Sequence, residues 1–215
     1  MTFYDELQIK TQDAREALFA IPIIQNALQG RITKTQYLAF LKEAFHHVKH
    51  TVPLLKACEA KVSDEYTWLK EGMQHYIEDE TGHEEWILND IHHAGGNKEN
   101  IRQSSPHITT ELMVADAYYQ IYQSNPVGFL GMVFVLEGTS IAIATHAAEA
   151  MQKSLKLPEE AFTYLTSHGS LDLTHIEFFK TLVNQLTKKE DQLVVIDCAN
   201  KFYSLYGNIF KHLPI

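Results

Sequence analysis

One carboxylate sets the terms for this chain. Glu137 stands in the middle of Val127–Ala148, a run long and apolar enough to resemble a membrane span, in which Gly128, Gly131, Gly138, Thr139, Ser140, Thr145 and His146 are interspersed. An isolated anion buried there is strongly disfavoured unless a cation, a metal, a hydrogen-bond donor or a proton meets it. A helix enclosed on every side by a soluble bundle supplies such partners and a bilayer does not, so no membrane partner is expected.

The remaining sequence is punctuated as helices, with no alternation typical of strands and no internal repeat. A first helix spans Phe3 to about Leu28, bent before Pro22 and stopped by Gly30. Thr33 or Thr35 caps a second that runs to about Val62 and kinks at Pro53, with Tyr37, Phe40, Leu41, Ala44, Phe45 and Val48 at helical spacing. Ser63 opens a third that continues to Gly95-Gly96. After an irregular stretch, a fourth covers Thr109–Ser124 and a fifth Val127–Leu155; Pro158 begins a sixth, and a seventh starts at Lys189. The expectation is an all-α chain folded as one seven-helix domain over residues 1–215.

Composition narrows the function. A formal net charge of −9, with the 18 basic residues scattered, excludes a nucleic-acid partner of the usual basic kind. The opening residues MTFYDELQIK show no basic and apolar leader, and there are only two cysteines, Cys58 and Cys198, so a reducing cytoplasm is expected. Twelve histidines in so acidic a chain point towards metal or proton chemistry.

Two groups of residues could act with Glu137. His168, Asp172 and His175 stand at i, i+4 and i+7, which sets all three on one stripe of the sixth helix. Glu80 and His83 form a Glu-x-x-His pair on the third, the spacing by which carboxylate-bridged di-iron bundles present one carboxylate and one imidazole together. The bland readings are a solvated polar stripe, an acidic surface that also takes in His75, Glu78, Asp79, Glu84 and Glu85, and a Glu137 hydrogen-bonded to a tyrosine or simply protonated. His46 and His50 are expected in core or hydrogen-bonding roles, and His92 and His93 in capping.

In order, Glu80-x-x-His83, Glu137 in its apolar helix and His168-x-x-x-Asp172-x-x-His175 resemble the heme-oxygenase-like diiron oxidases and oxygenases. These share a seven-helix fold with heme oxygenase, the thiaminase TenA and the quinone-cofactor enzyme PqqC. The resemblance covers nearly the whole chain and implies a metal site of two Fe2+ ions held by Glu80, His83, Glu137, His168, Asp172 and His175, with O2 as co-substrate. Asp79 is an alternative to Glu80. It further implies an oxidoreductase acting on a small carboxylate or amine, amino-acid-like or fatty-acid-like, and a homodimer. The alternatives are a metal-independent enzyme of the TenA or PqqC kind and a helical protein that only binds a small molecule. Heme degradation is disfavoured because the first helix holds no histidine, and a TenA-type thiol because neither cysteine lies mid-chain.

Overall fold

The structure, a computed structural model, describes residues 1–214, the side chains of residues 168–174 excepted. All the regular elements described are helical. The seven helices expected are subdivided, and each subdivision has a local cause.

The first becomes α1 (Phe3–Lys10), α2 (Gln12–Phe19) and α3 (Pro22–Leu28). It breaks at Thr11, whose backbone leaves helical geometry, and again before Pro22, which sits in the first turn of α3 where its missing N–H costs nothing. The second becomes α4 (Lys34–Val48) and α5 (Thr51–Lys61). Pro53 falls in the first turn of α5, so the kink expected there is a break at Lys49-His50. The third divides into α6 (Thr67–Glu80) and α7 (His83–His93) at Gly82, whose φ of 95° lies in the left-handed region that glycine adopts without strain.

Residues 98–102, read as irregular, form the short α8 (Lys98–Arg102), capped by the Asn97 side chain accepting from Asn100 N. Next come α9 (Ile108–Gln123), α10 (Leu130–Leu155), α11 (Thr163–Val183) and α12 (Lys189–Lys211). Pro158 opens only a 3-10 turn, and α11 begins five residues later than expected.

Two hydrophobic clusters flank the middle of α10. One contains its Met132, Phe134 and Val135 with residues of α5, α6, α9 and α12; the other contains Ala144, Ala147, Ala148 and Met151 with residues of α4 and α7. Glu137 lies in the interval between them. By composition Pro126–Leu155 could cross a membrane, but 61% of its most apolar window is buried inside the fold. It packs so closely on α12 that a Cβ added to Gly131 would stand 2.6 Å from Ala199 N and 2.7 Å from Val195 O.

The start of α11 is fixed from α7. Asp90 is fully buried and accepts from Thr163 N at 3.1 Å, from Tyr164 N at 2.9 Å and from Thr163 Oγ1. It caps a helix to which it does not belong. Desolvation lifts its carboxyl from the ordinary 3.8 to about 6, outweighing those hydrogen bonds.

A pH dependence follows. Between about 4 and 6 the folded chain retains a proton on Asp90 that the unfolded chain has released, so the stability contributed by this group is full below that window and falls as pH rises through it. Urea midpoints measured from pH 4 to 7 should fall more steeply for the wild type than for Asp90→Asn. Asp90→Ala, which leaves two backbone N–H groups uncapped, should cost about 1–3 kcal/mol at every pH.

Candidate functional site

The last turn of α6, the first residue of α7, the middle of α10 and the second half of α11 meet at one place. Four of the six expected site residues are brought together there. His83 Nδ1 stands 2.9 Å from Glu80 Oε2, a contact that bridges the α6–α7 break at Gly82. His175 Nδ1 lies 4.0 Å from Glu80 Oε1 and 4.0 Å from Glu137 Oε1. His83, Glu137 and His175 are buried, and the Glu80 side chain is only 12% exposed. His168 and Asp172 lie outside the described residues. Among the described residues no group of three His, Cys, Asp or Glu stands at metal-holding separation.

Aromatic rings enclose the cluster. Trp86 stacks on His83 with centroids 3.9 Å apart, and Tyr76 meets His175 edge-on at 5.8 Å. Tyr76 Oη also stands 3.4 Å from Glu137 Oε2, too long for a strong hydrogen bond. The buried carboxylate of Glu137 thus faces a phenol on one side and an imidazole on the other.

The structure separates Asp79 from Glu80. Glu80 approaches both His83 and the Nδ1 of His175, whereas Asp79 Oδ2 lies 3.4 Å from the opposite ring nitrogen of His175, Nε2, and 3.3 Å from His75 Nε2. Asp79 is therefore placed to orient the His175 ring from behind, leaving Nδ1 directed at the two glutamates.

A cavity of about 170 Å³ opens beside Glu80 and Glu137. It follows α10 from Phe129 to Met151, a stretch of helix roughly 33 Å long at 1.5 Å per residue. Aliphatic and aromatic side chains form most of its wall. Among the described lining residues there is no Lys or Arg, and the His and carboxylate members are His47, Glu80 and Glu137.

His47 is the residue that sequence reasoning missed. It is buried, lines the cavity and meets Tyr206 edge-on at 5.8 Å. The signal was present in the spacing of Tyr37, Phe40, His47 and Thr51, which continues one inward stripe of α4 into α5. His46 has the hydrogen-bonding role expected of it. Lys49 Nζ donates to its Nδ1 at 3.1 Å, so Nε2 carries the proton and donates to Ser104 Oγ at 2.9 Å, while Ser104 donates onward to Ile101 O. That tautomer cannot take a proton from Ser104, which removes a Ser-His nucleophile. Desolvation holds the His46 imidazole down at about 4.

Comparison with known proteins agrees with this architecture. A family model described as iron-containing redox enzyme matches residues 38–207. A protein from Shewanella denitrificans, described as a domain of unknown function with a heme oxygenase-like fold, is 24% identical, with a TM-score of 0.89 over 98% of this chain and 91% of its own. A TenA homologue from Pseudomonas syringae is 9% identical, with a TM-score of 0.83 over 98% and 92%. A heme oxygenase from the cyanobacterium Synechocystis, solved in complex with heme, is 12% identical, with a TM-score of 0.77 over 99% and 92%. At these identities the likeness establishes the fold alone. No curated protein matches the sequence.

The cysteines take no part in the site. Both are buried, and burial pushes the Cys58 and Cys198 thiols up to about 12. At pH 8 the folded protein should therefore react with fewer than one equivalent of Ellman's reagent over a period in which the urea-unfolded chain titrates both thiols. Rapid reaction of one thiol in the native state would restore a nucleophilic cysteine to consideration.

Proposed function

The chain belongs to the iron-containing redox enzyme family and has the heme-oxygenase-like fold, and from that premise we propose that it is an O2-dependent oxidase or oxygenase working through a non-heme di-iron site. The observation that carries this reading is the convergence of Glu80, His83, Glu137 and His175 from four helices, with Glu80 and Glu137 on the wall of an apolar cavity. The donor set is nitrogen and oxygen only, which suits iron and lacks the thiolates of structural zinc. In this proposal His168 and Asp172 complete the ligand set from the same stripe of α11 as His175.

Bound ferrous iron would supply the electrons that reduce O2. The protein's own contribution is positional. Glu137 and Glu80 present carboxylates from α10 and α6 to the same nitrogen of His175, Asp79 fixes the ring of His175, Trp86 holds the plane of His83, and the apolar wall keeps bulk water away from the reacting atoms. The absence of Lys and Arg from the described lining disfavours a free amino acid, whose two charges would lack partners, and favours a fatty-acid-like chain among the two substrate classes considered. The two unpaired, buried thiols accord with a cytoplasmic location.

A homodimer is also part of the proposal. Ile108, Leu112, Tyr119 and Tyr122 are each about half exposed and fall on one stripe of α9. Glu111 lies near the N-terminal end of this stripe, and Lys61 Nζ sits 5.4 Å from the Tyr122 ring at the other end. Pairing with a second copy about a two-fold axis would bring Lys61 to Glu111 on both sides. Leu112→Glu combined with Tyr119→Glu should convert a dimer to a monomer in sedimentation; an unchanged sedimentation coefficient would remove α9 as the interface.

The central test is chemical. Protein prepared without oxygen and loaded with Fe(II) should bind close to two irons and consume O2. Glu137→Gln should retain the fold, lose at least one iron and slow O2 uptake by about 10- to 100-fold, the usual effect of damaging a metal shell. The metal-free form of that variant should be as stable as the wild type or steadier by about 1–2 kcal/mol, because a desolvated carboxylate has been removed. Undiminished O2 uptake in Glu137→Gln would refute the assigned role.

A further inference from the structure

The two residues that follow Gly138 on α10 carry hydroxyls that no described residue uses. Thr139 is only 4% exposed, both Thr139 and Ser140 line the cavity, and among the described residues neither Thr139 Oγ1 nor Ser140 Oγ has a hydrogen-bond partner. Within a helix such hydroxyls ordinarily return a hydrogen bond to the carbonyl one turn back. Thr166 and Thr181 on α11 do so, to Phe162 O at 3.0 Å and to Glu177 O at 3.1 Å. A buried hydroxyl left without a partner is costly, and valine or alanine would fill either place without that cost.

Their position gives the cost a purpose. Ser140 lies three residues beyond Glu137, on the same side of α10 and about 4.5 Å further along its axis. Thr139 adjoins it on the neighbouring stripe, so two hydroxyls stand side by side next to Glu137, about midway along the α10 stretch of the wall. Beyond them Ile143, Ala144, Ala147 and Met151 continue the wall, the two alanines leaving width for a chain.

We propose that Thr139 and Ser140 hold the oxygen-bearing head group of an elongated amphiphile, a fatty acid or fatty alcohol, with its tail running along α10 towards Met151. This rests on the iron-dependent reading only for the identity of the reacting centre; the hydroxyls and the cavity stand by themselves. The arrangement places the head and the first carbons of the chain next to Glu137 and directs the tail away. Thr139 and Ser140 are positioning residues that determine which carbons lie at the reacting centre.

The test is calorimetric titration of decan-1-ol and decanoate into the protein, with and without Co(II), using wild type and the double variant Thr139→Val, Ser140→Ala. Wild type should bind decan-1-ol with or without the metal, and decanoate only when Co(II) offsets Glu80 and Glu137. The double variant should bind decan-1-ol about tenfold more weakly, the loss of one to two neutral hydrogen bonds, and decanoate at least tenfold more weakly, because its carboxylate accepts charge-assisted ones. It should also melt no lower than wild type, since no native partner has been removed; a melting point lowered by several degrees would mean the hydroxyls are structural and would overturn the proposal.

Equal affinity of wild type and double variant for both ligands would overturn it as well, as would failure of wild type to bind either. In those cases an unchanged Co(II) absorption spectrum would leave the metal site standing. Absence of Co(II) binding combined with tenfold weaker binding of decan-1-ol in the variant would support the head-group site and count against the iron reading. Ala147→Phe provides a second check, because narrowing the tail end should weaken decan-1-ol more than hexan-1-ol, and equal effects on the two would place the tail elsewhere.

Discussion

The rest of the structure depends on keeping the carboxylate of Glu137 inside an apolar helix. Residues before it on α10 belong to one hydrophobic cluster and residues after Ile143 to another, and Glu137 lies in the seam. A carboxylate in that seam is tolerable only if polar groups reach it, and they come from elements distant in sequence. Tyr76 arrives from α6 and His175 from α11. Several other features can be understood as means of delivering those groups. Gly82 breaks the helix so that His83 and Glu80 can face each other across the turn, Gly131 allows α10 to settle against α12, and Asp90 ties the start of α11 to α7.

Two buried acids, one on α7 and one on α10, illustrate different uses of a carboxylate. Asp90 is surrounded by donors from one helix terminus, and its work is complete in the folded chain. Its raised affinity for a proton reflects desolvation, and the hydrogen bonds that define its geometry only partly oppose it. Glu137 is met instead by a phenol at long range and an imidazole at 4.0 Å, neither of which closes a short hydrogen bond. The first arrangement stabilises a fold. The second gathers groups from α6 and α11 around a carboxylate of α10 at the edge of the cavity.

Much of this was legible in the sequence because it depends on composition within one helix. The apolar surroundings of Glu137, a cap at Thr33 or Thr35 and the spacing that ends in His175 are local facts, and each falls on a helix of the structure, Thr33 being the cap and α10 and α11 starting later than expected. What could not be read depends on tertiary geometry. Gly82 resembles any glycine in a polar stretch, and only its φ of 95° turns one expected helix into α6 and α7. The late start of α11 follows from a cap supplied by Asp90, more than seventy residues away in sequence. The choice between Asp79 and Glu80 was left open because adjacent residues on a helix differ only by direction, and direction acquires meaning when the ring of His175 offers a different nitrogen to each. His47 was not singled out, and His46 and His50 were read as core or hydrogen-bonding residues, for a similar reason: three histidines within five residues cannot be ranked until the cavity defines an inside.

The cavity also explains how one fold can serve chemistries as different as those of its structural neighbours. Nothing in the seam between the two clusters requires iron, heme or a thiol; the helices provide an enclosed volume, and the residues that line it determine its use. Here the described lining contains two glutamates, a histidine and several hydroxyls against a long aliphatic wall, with no lysine or arginine. A ligand carrying charges at both ends would have to leave water without receiving a counter-charge, which is strongly unfavourable in so apolar a space. A ligand with one polar end and one apolar end loses little on entry and gains the burial of its tail, about 25 cal/mol for each Å² removed from water. The acidity that would repel an anionic head group from Glu80 and Glu137 is the property that draws in metal cations, so occupation by metal and acceptance of a carboxylate would be coupled events at the same wall.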